Sequence, residues 1–323
     1  MELQLNGLVT SRQSGFYNVE ANDGQIYWCR LRGKLKEEAQ SSDIVAIGDR
    51  VTLSAVQEDG TDEINGIIES VADRDSVLSR AVRTTGKRGG GQAEREHILI
   101  ANANQAFFVF AVSNPPLNFR MLDRLLVAGE KSGIEQLCIV INKVDIEDPA
   151  KIDYMISPYK KMGYDILHTS ALQGDGIAEL QSRMKDNISV FTGPSGVGKT
   201  SLLNQIQPGL GRTVKSVSDS SGQGMHTTRD SVLIKLADGG YLADTPGIRN
   251  LLVWDIEPDE LDGYFLDMAA FVEDCRFGNC THTDEPGCAV LTALKNGDIH
   301  PNRYENYLLL RDELIETYVI YNR

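Results

Sequence analysis

Three stretches of the sequence predict an α/β domain on a parallel sheet, with a small all-β barrel ahead of it and a metal-held helical module behind it. Short apolar runs alternate with helical spacings from residue 105 to 206. Five strand patterns separated by turn signals fill the first 72 residues, and Cys275, Cys280, His282 and Cys288 lie within one short stretch near the carboxyl end. The predicted division is an OB-like barrel over 1–72, a basic and Gly-rich linker over 73–96, the α/β domain over 97–257 and the metal-binding helical module over 258–323.

The totals bound what such a chain does. Its 323 residues suffice for two or three separate cores, and a formal charge of −14 excludes a uniformly basic face that coats nucleic acid, leaving only local contacts. The longest apolar run, 106–112, falls far short of the roughly 20 residues of a membrane helix, so no membrane partner is expected. Glu2 and Asn6 interrupt Leu3, Leu5 and Leu8, which does not read as a signal peptide, and a cytoplasmic location is expected.

The barrel strands are predicted at 5–10, 15–20, 26–32, 49–54 and 66–71, with Asn22-Asp23-Gly24 and Asp59-Gly60 as turns. Tyr17, Tyr27, Trp28, Arg30 and Arg32 either stack and pair with RNA or, for the aromatics, fill the barrel core. Residues 80–91, with Arg80, Arg83, Lys87, Arg88 and three consecutive glycines, read as a linker, either a phosphate contact or a plain flexible link.

In the central domain, strands are predicted at 105–112, 136–141, 164–168 and 187–191, and helices at 121–131, about 151–162, 176–184 and onward from 201. Such alternation makes a parallel sheet with helices on both faces and ligands at the carboxyl ends of the strands. Gly193-Pro194-Ser195-Gly196-Val197-Gly198-Lys199-Thr200-Ser201 joins the last strand to the last helix and fits G-x-x-x-x-G-K-[ST]. Its backbone N–H groups suit phosphate oxygens at a helix N-terminus, Lys199 suits the β and γ phosphates, and the Thr200 hydroxyl suits Mg²⁺.

Asn142-Lys143-Val144-Asp145 ends the strand at 136–141. A carboxylate at Asp145 accepts both N1–H and N2–H of guanine, a pair adenine lacks, and leaving it unpaired rejects ATP. Asn142 would brace this loop, the Lys143 stem would lie over the ring, and the Ser170-Ala171 backbone would meet the guanine carbonyl.

Residues 209–229, rich in Gly, Ser and Thr, read as a long mobile segment ending in His226-Thr227-Thr228-Arg229. A hairpin of strands at 231–236 and 241–243 then leads into Asp244-Thr245-Pro246-Gly247. Asp244 would hold the Mg²⁺ shell, the Gly247 N–H would sense the γ-phosphate, and Thr228, or in its place Thr227, would complete the metal site. Behind them, Cys275-x₄-Cys280-x-His282-x₅-Cys288 offers three thiolates and one imidazole, a closed tetrahedral set for one structural Zn²⁺. Helices are predicted around it at 258–272, 289–296 and 302–318.

The order guanine loop, second base loop, phosphate loop, switch threonine and D-T-P-G puts the guanine-reading half first, whereas regular small GTPases place it last. In this order and in its flanking domains the chain resembles the circularly permuted GTPases, specifically the ribosome small subunit-dependent GTPase A family. The resemblance implies a monomeric enzyme that hydrolyses GTP to GDP with Mg²⁺, binds the 30S subunit and its 16S rRNA late in subunit assembly, and turns over slowly until docked. Ile248 stands where Ras-like enzymes carry a water-orienting glutamine, so His226 is either a water-positioning group ordered by docking or a plain loop histidine. A nucleotide-gated binding protein with negligible hydrolysis and an ATP-using enzyme are the competing functions. Direct attachment of the D-T-P-G strand to the metal-binding module suggests that γ-phosphate loss reorients that module.

Overall fold

The computed structural model describes residues 4–38, 43–56, 65–83, 94–219, 231–244 and 256–321. Its first five strands are β1 (Gln4–Gln13), β2 (Phe16–Ala21), β3 (Ile26–Leu31), β4 (Arg50–Val56) and β5 (Asn65–Val71), with a short helix α1 (Gly33–Glu38) after β3. They pair in the order β1-β2-β3-β5-β4 and close through β4 back onto β1, so no strand edge of the barrel is left unpaired. Period-2 alternation sends Tyr17, Val19, Tyr27 and Cys29 inward with Val51, Leu53 and Ile68. Tyr17 and Tyr27 are therefore core residues, and the Tyr27 hydroxyl donates to Asp23 at 2.8 Å.

The stretch after the barrel is more ordered than a linker. Strands β6 (Val77–Arg83) and β7 (Glu94–Ala101) form an antiparallel pair. Leu78, Ile98, Leu99 and Ile100 are buried, and that apolar content gives the hairpin the packing that the basic residues beside it conceal in the sequence. Arg74 fixes the hairpin's approach to the barrel by donating to both carboxylate oxygens of the fully buried Asp49 at 2.8 Å each. Residues 84–93, with Lys87, Arg88 and the glycines, lie outside the described residues.

The central domain contains β8 (Gln105–Ala111), α2 (Phe119–Lys131), β9 (Gln136–Asn142), α3 (Pro149–Lys161), β10 (Asp165–Thr169), α4 (Ile177–Met184), β11 (Ile188–Thr192), α5 (Lys199–Ile206), α6 (Leu210–Asp219), β12 (Val232–Lys235) and β13 (Tyr241–Asp244). The strands lie in the order β10-β9-β8-β11-β13-β12, all parallel except β12. Both faces are covered. Phe108 and Phe110 of β8 pack in one apolar cluster with Leu122 and Leu126 of α2, while Phe107 and Val109 pack in another with Leu180 of α4 and Leu202 and Leu203 of α5.

Residues 210–219 are helical, which corrects the expectation of a mobile segment starting at 209. Leu210 is buried, Val214 packs on the same cluster, and Asn204 accepts the Gly211 N–H at 2.9 Å. Two glycines and the hydroxyl residues hide this amphipathic pattern in the sequence. Residues 220–230 lie outside the described residues.

The barrel and the central sheet are continuous. β1 pairs with β12 at Ser11 and Val232, and Glu20 of β2 takes an ion pair from Lys235 and a 3.0 Å hydrogen bond from the Tyr241 hydroxyl. The contact therefore falls on the hairpin that leads into Asp244.

The carboxyl-terminal module holds a 3₁₀ turn at Leu261–Tyr264, α7 (Leu266–Val272), α8 (Ala289–Asn296) and α9 (Pro301–Tyr321). The single helix expected over 258–272 is broken because Phe265 adopts extended backbone and is fully buried, edge-on to Tyr307 with ring centroids 5.5 Å apart. Val127 of α2 belongs to the same apolar cluster, so the module is packed onto the central domain. Among the described residues, no helix is long and apolar enough to cross a membrane.

Candidate nucleotide site and metal centre

The loop 193–198 leaves β11 at its carboxyl end, in the middle of the parallel sheet. Gly193 has φ +149°, and a Cβ there would collide with the Val109 carbonyl of β8. Gly198 has φ +96°, and a Cβ there would collide with the amide nitrogen of Asn142. Glycine is thus required at both ends of the loop by the backbone's close approach to neighbouring strands. Val197 is buried and anchors the loop from below, while Ser195, Gly196, Thr200 and Ser201 are exposed and Pro194 is half-buried. The Lys199 ammonium donates to the carbonyls of Gly193 at 2.7 Å and Pro194 at 2.6 Å, which holds it inside the loop.

Asn142 joins this loop to the two base loops. Its Nδ2 donates to the Val197 carbonyl at 2.8 Å, and its Oδ1 accepts from the Ala171 N–H at 3.1 Å and the Thr169 hydroxyl at 3.3 Å. Lys143, at φ +65°, donates to the carbonyls of Asn114 and of Gly196, the latter at 2.9 Å. The Asp145 carboxylate accepts from the Ser170 hydroxyl at 2.6 Å. Val144 opens a short 3₁₀ turn that carries Asp145.

Two features of the base loops escape the sequence. Ser170 acts through its hydroxyl on Asp145, and Gln205 of α5 donates to the Ala171 carbonyl at 2.9 Å, so the helix that starts at the phosphate loop also holds the second base loop. Of the Ser170-Ala171 backbone, expected to meet a guanine carbonyl, the Ala171 N–H is engaged by Asn142. A serine directly before Ala171 is the one sequence signal that points to the Asp145 contact.

Asp244 ends β13 beside β11 and is buried. Thr200 stands in the first turn of α5. The two residues supply hard oxygen donors of the kind Mg²⁺ prefers. His226, Thr227, Thr228, Gly247 and Ile248 lie outside the described residues.

On the barrel exterior, the Phe16 and Trp28 rings stack with centroids 5.1 Å apart, and the Arg30 guanidinium lies 4.8 Å from the Phe16 centroid. Of the aromatic candidates read from the sequence, only Trp28 faces outward, and Phe16 joins it. Arg32 is exposed and paired with Glu69.

Cys275, Cys280, His282 and Cys288 come together with their ligand atoms all within 4.8 Å of one another. His282 Nδ1 lies 3.6 Å from the Cys275 sulfur and 3.4 Å from the Cys288 sulfur, and those two sulfurs are 4.0 Å apart. A tetrahedron with Zn–S of about 2.3 Å and Zn–N of about 2.0 Å has edges of about 3.5 to 3.8 Å, so the residues fit this ion. Burial works against a thiolate at Cys275, but the N–H groups of Val290 and Ala289 and the neighbouring thiols outweigh it and pull that thiol below its ordinary range. Burial, with the adjacent Cys288, pushes the Cys280 thiol up to about 12. All three sulfurs could ionise together only with a cation among them.

Two family models match this chain. The RsgA GTPase family model matches residues 71–254, and the RsgA N-terminal domain model matches 6–62. The chain belongs to the RsgA GTPase family. A protein of Gemmatimonas aurantiaca named small ribosomal subunit biogenesis GTPase RsgA is 38% identical over 98% of this chain and 99% of its own length. One of the same name from Moorella thermoacetica is 40% identical over 96% of this chain and 98% of its own.

Two solved structures are similar to this RsgA-family chain over nearly its whole length. YjeQ from Thermotoga maritima superposes with a TM-score of 0.75 at 35% identity, covering 97% of this chain and 99% of that one. YloQ, described as a circularly permuted GTPase, gives 0.72 at 29% identity, covering 98% and 96%. In this RsgA-family chain the permutation is visible in the sheet: β8, β9 and β10 precede the phosphate-loop strand in sequence and lie on one side of it, and β13 and β12 follow it and lie on the other.

Proposed function

We propose that this chain is a GTPase of small ribosomal subunit biogenesis that binds the 30S subunit through its 16S rRNA, hydrolyses GTP to GDP and phosphate, and turns over faster when docked. The observation that carries this reading is the Asn142 side chain, which bonds the phosphate loop at Val197 and the second base loop at Ala171 from the strand end that also presents Asp145. One residue thereby fixes the phosphate and base subsites at a set spacing, as a nucleotide site requires.

In this reading Asp145, steadied by Ser170, accepts N1–H and N2–H of guanine, and the Lys143 stem covers the ring. The backbone N–H groups of 193–201 take the phosphate oxygens, and Lys199 exchanges its two carbonyl partners for the β and γ phosphates. Thr200 and Asp244, with Thr228, would hold Mg²⁺, which neutralises charge on the phosphates when bound. Gly247 and His226 are assigned to sensing the γ-phosphate and placing the attacking water. Water attacks the γ-phosphorus in line, the bond to the bridging oxygen breaks, and GDP carries away the electron pair.

Cys275, Cys280, His282 and Cys288 would hold one zinc ion that stabilises the module structurally. Phe16, Trp28 and Arg30 give the barrel a surface on which an unpaired base can stack. The chain is taken to act as a cytoplasmic monomer.

GTP turnover measured with and without purified 30S subunits, and GTP binding measured against ATP, test this function. Faster turnover with subunits and preference for GTP are expected. Binding to subunits without any stimulated hydrolysis would instead favour a nucleotide-gated binding protein.

A further inference from the structure

We infer that Asp262 is a positioning residue of the metal centre: its carboxylate holds His282 in the tautomer that presents Nδ1 to the ion, and so sets metal affinity without touching metal. This rests on the zinc site proposed above. His282 Nε2 lies 2.9 Å from Asp262 Oδ2, and the imidazole is fully buried. A carboxylate can only accept, so the single N–H of a neutral imidazole sits on Nε2. The lone pair of Nδ1 is then aimed at the sulfurs of Cys275 and Cys288.

The ring has little freedom to do otherwise. His282 adopts φ +60°, a left-handed conformation that is costly for a non-glycine residue, and its own carbonyl is held by the Tyr304 hydroxyl at 2.7 Å. The Tyr307 ring lies 6.2 Å from the imidazole centroid. Backbone strain, a tethered carbonyl and a paired Nε2 converge on one orientation. Such outer contacts to a ligating histidine raise its basicity and limit its motion.

Asp262 comes from the 3₁₀ turn Leu261–Tyr264, which is the first helical turn described after β13. The bond therefore links that turn to the metal loop.

The experiment uses the full chain. Zinc affinity is measured by competition with a chromogenic chelator for the parent, Asp262→Ala and Asp262→Asn, and the His282 ring nitrogens of the zinc-loaded parent are assigned by long-range ¹H–¹⁵N correlation. The parent is expected to hold one zinc ion per chain with Nδ1 bound and Nε2 protonated. Asp262→Ala should bind zinc about 10- to 100-fold more weakly, and Asp262→Asn, whose carbonyl still accepts, should recover most of that loss. A parent bound through Nε2, or an Asp262→Ala protein with parental zinc affinity, overturns the role of Asp262 while leaving the zinc site standing. A parent that takes up no zinc overturns the site itself. The nitrogen assignment needs no variant, so it decides the question even where a substituted chain fails to fold.

Discussion

Arg303 of α9 donates to Asp123 of α2 at 2.5 Å, and both side chains are almost wholly sealed from water. The same guanidinium reaches Asp267 at 2.7 Å, and Asp123 also accepts from Tyr159 at 2.7 Å and Asn306 at 2.5 Å. A charge this deeply buried and bonded through all three of its nitrogens fixes how the carboxyl-terminal module sits on the central domain. Arg303→Met leaves two carboxylates buried without their cation, so chemical unfolding should show a loss of about 3 to 5 kcal/mol. A loss below 1 kcal/mol would show that the network is dispensable.

That interface bears on the reorientation of the module that the order of the motifs suggests. Reorientation of the module as a free body would have to break the Arg303 network, whereas movement together with α2 would preserve it. A disulfide placed between α2 and α9, or any other crosslink there, should leave the ratio of 30S affinities in GTP-analogue and GDP states unchanged. A ratio that collapses on crosslinking would show that the two helices separate.

Asn142→Ala removes the side chain shared by Val197, Ala171 and Thr169. The Val197 carbonyl is left without that partner, at a cost of about 1 to 3 kcal/mol. Fluorescent GTP and GDP should both bind about 5- to 150-fold more weakly, since the spacing between subsites serves both nucleotides. Equal affinity for parent and variant would remove Asn142 from the site.

Asp145→Asn replaces a double acceptor with a group that offers only one acceptor toward the two guanine donors. The GTP-over-ATP binding ratio should fall by at least about tenfold. Ser170→Ala frees the carboxylate from its 2.6 Å hydroxyl contact and should erode the same ratio more mildly. Competition binding with both nucleotides reads each effect.

Glu20 and Tyr241 offer a spectroscopic test of the contact between barrel and sheet. Burial, followed by the Glu20 carboxylate, pushes the Tyr241 phenol up to about 12. Glu20→Gln removes a negative charge that disfavours phenolate, so Tyr241 should ionise at lower pH, seen as the near-ultraviolet difference between this variant and its Tyr241→Phe counterpart. Because Lys235 is largely exposed, loss of its ion pair with Glu20 should change stability by less than about 1 kcal/mol.

Much of the fold is legible in local pattern. The five barrel strands, the alternation from β8 to α5 and the helix α8 all follow from periodicity and turn residues, because each buries one face and exposes the other. The hairpin β6–β7 and the helix α6 are obscured, since basic, glycine and hydroxyl residues outnumber the few buried positions that hold them in place. Phe265 shows the opposite failure: a continuous helical pattern is interrupted by one ring that packs better in the module core than on a helix.

By itself the sequence determined which candidate chemistry is on offer: a loop of the phosphate-binding pattern between strand and helix, a carboxylate loop suited to guanine, and a cysteine and histidine set of zinc spacing. Those assignments rest on residue type and short separations, which are local properties of the chain. Only the tertiary structure decided which partners those groups take. Asn142 meets Val197 55 residues away, the Ser170 hydroxyl steadies Asp145, Asp262 reaches His282, and Glu20 meets Tyr241 across more than two hundred residues. Such pairs are set by the order of strands in the sheet and by packing within the carboxyl-terminal module, neither of which spacing along the chain encodes.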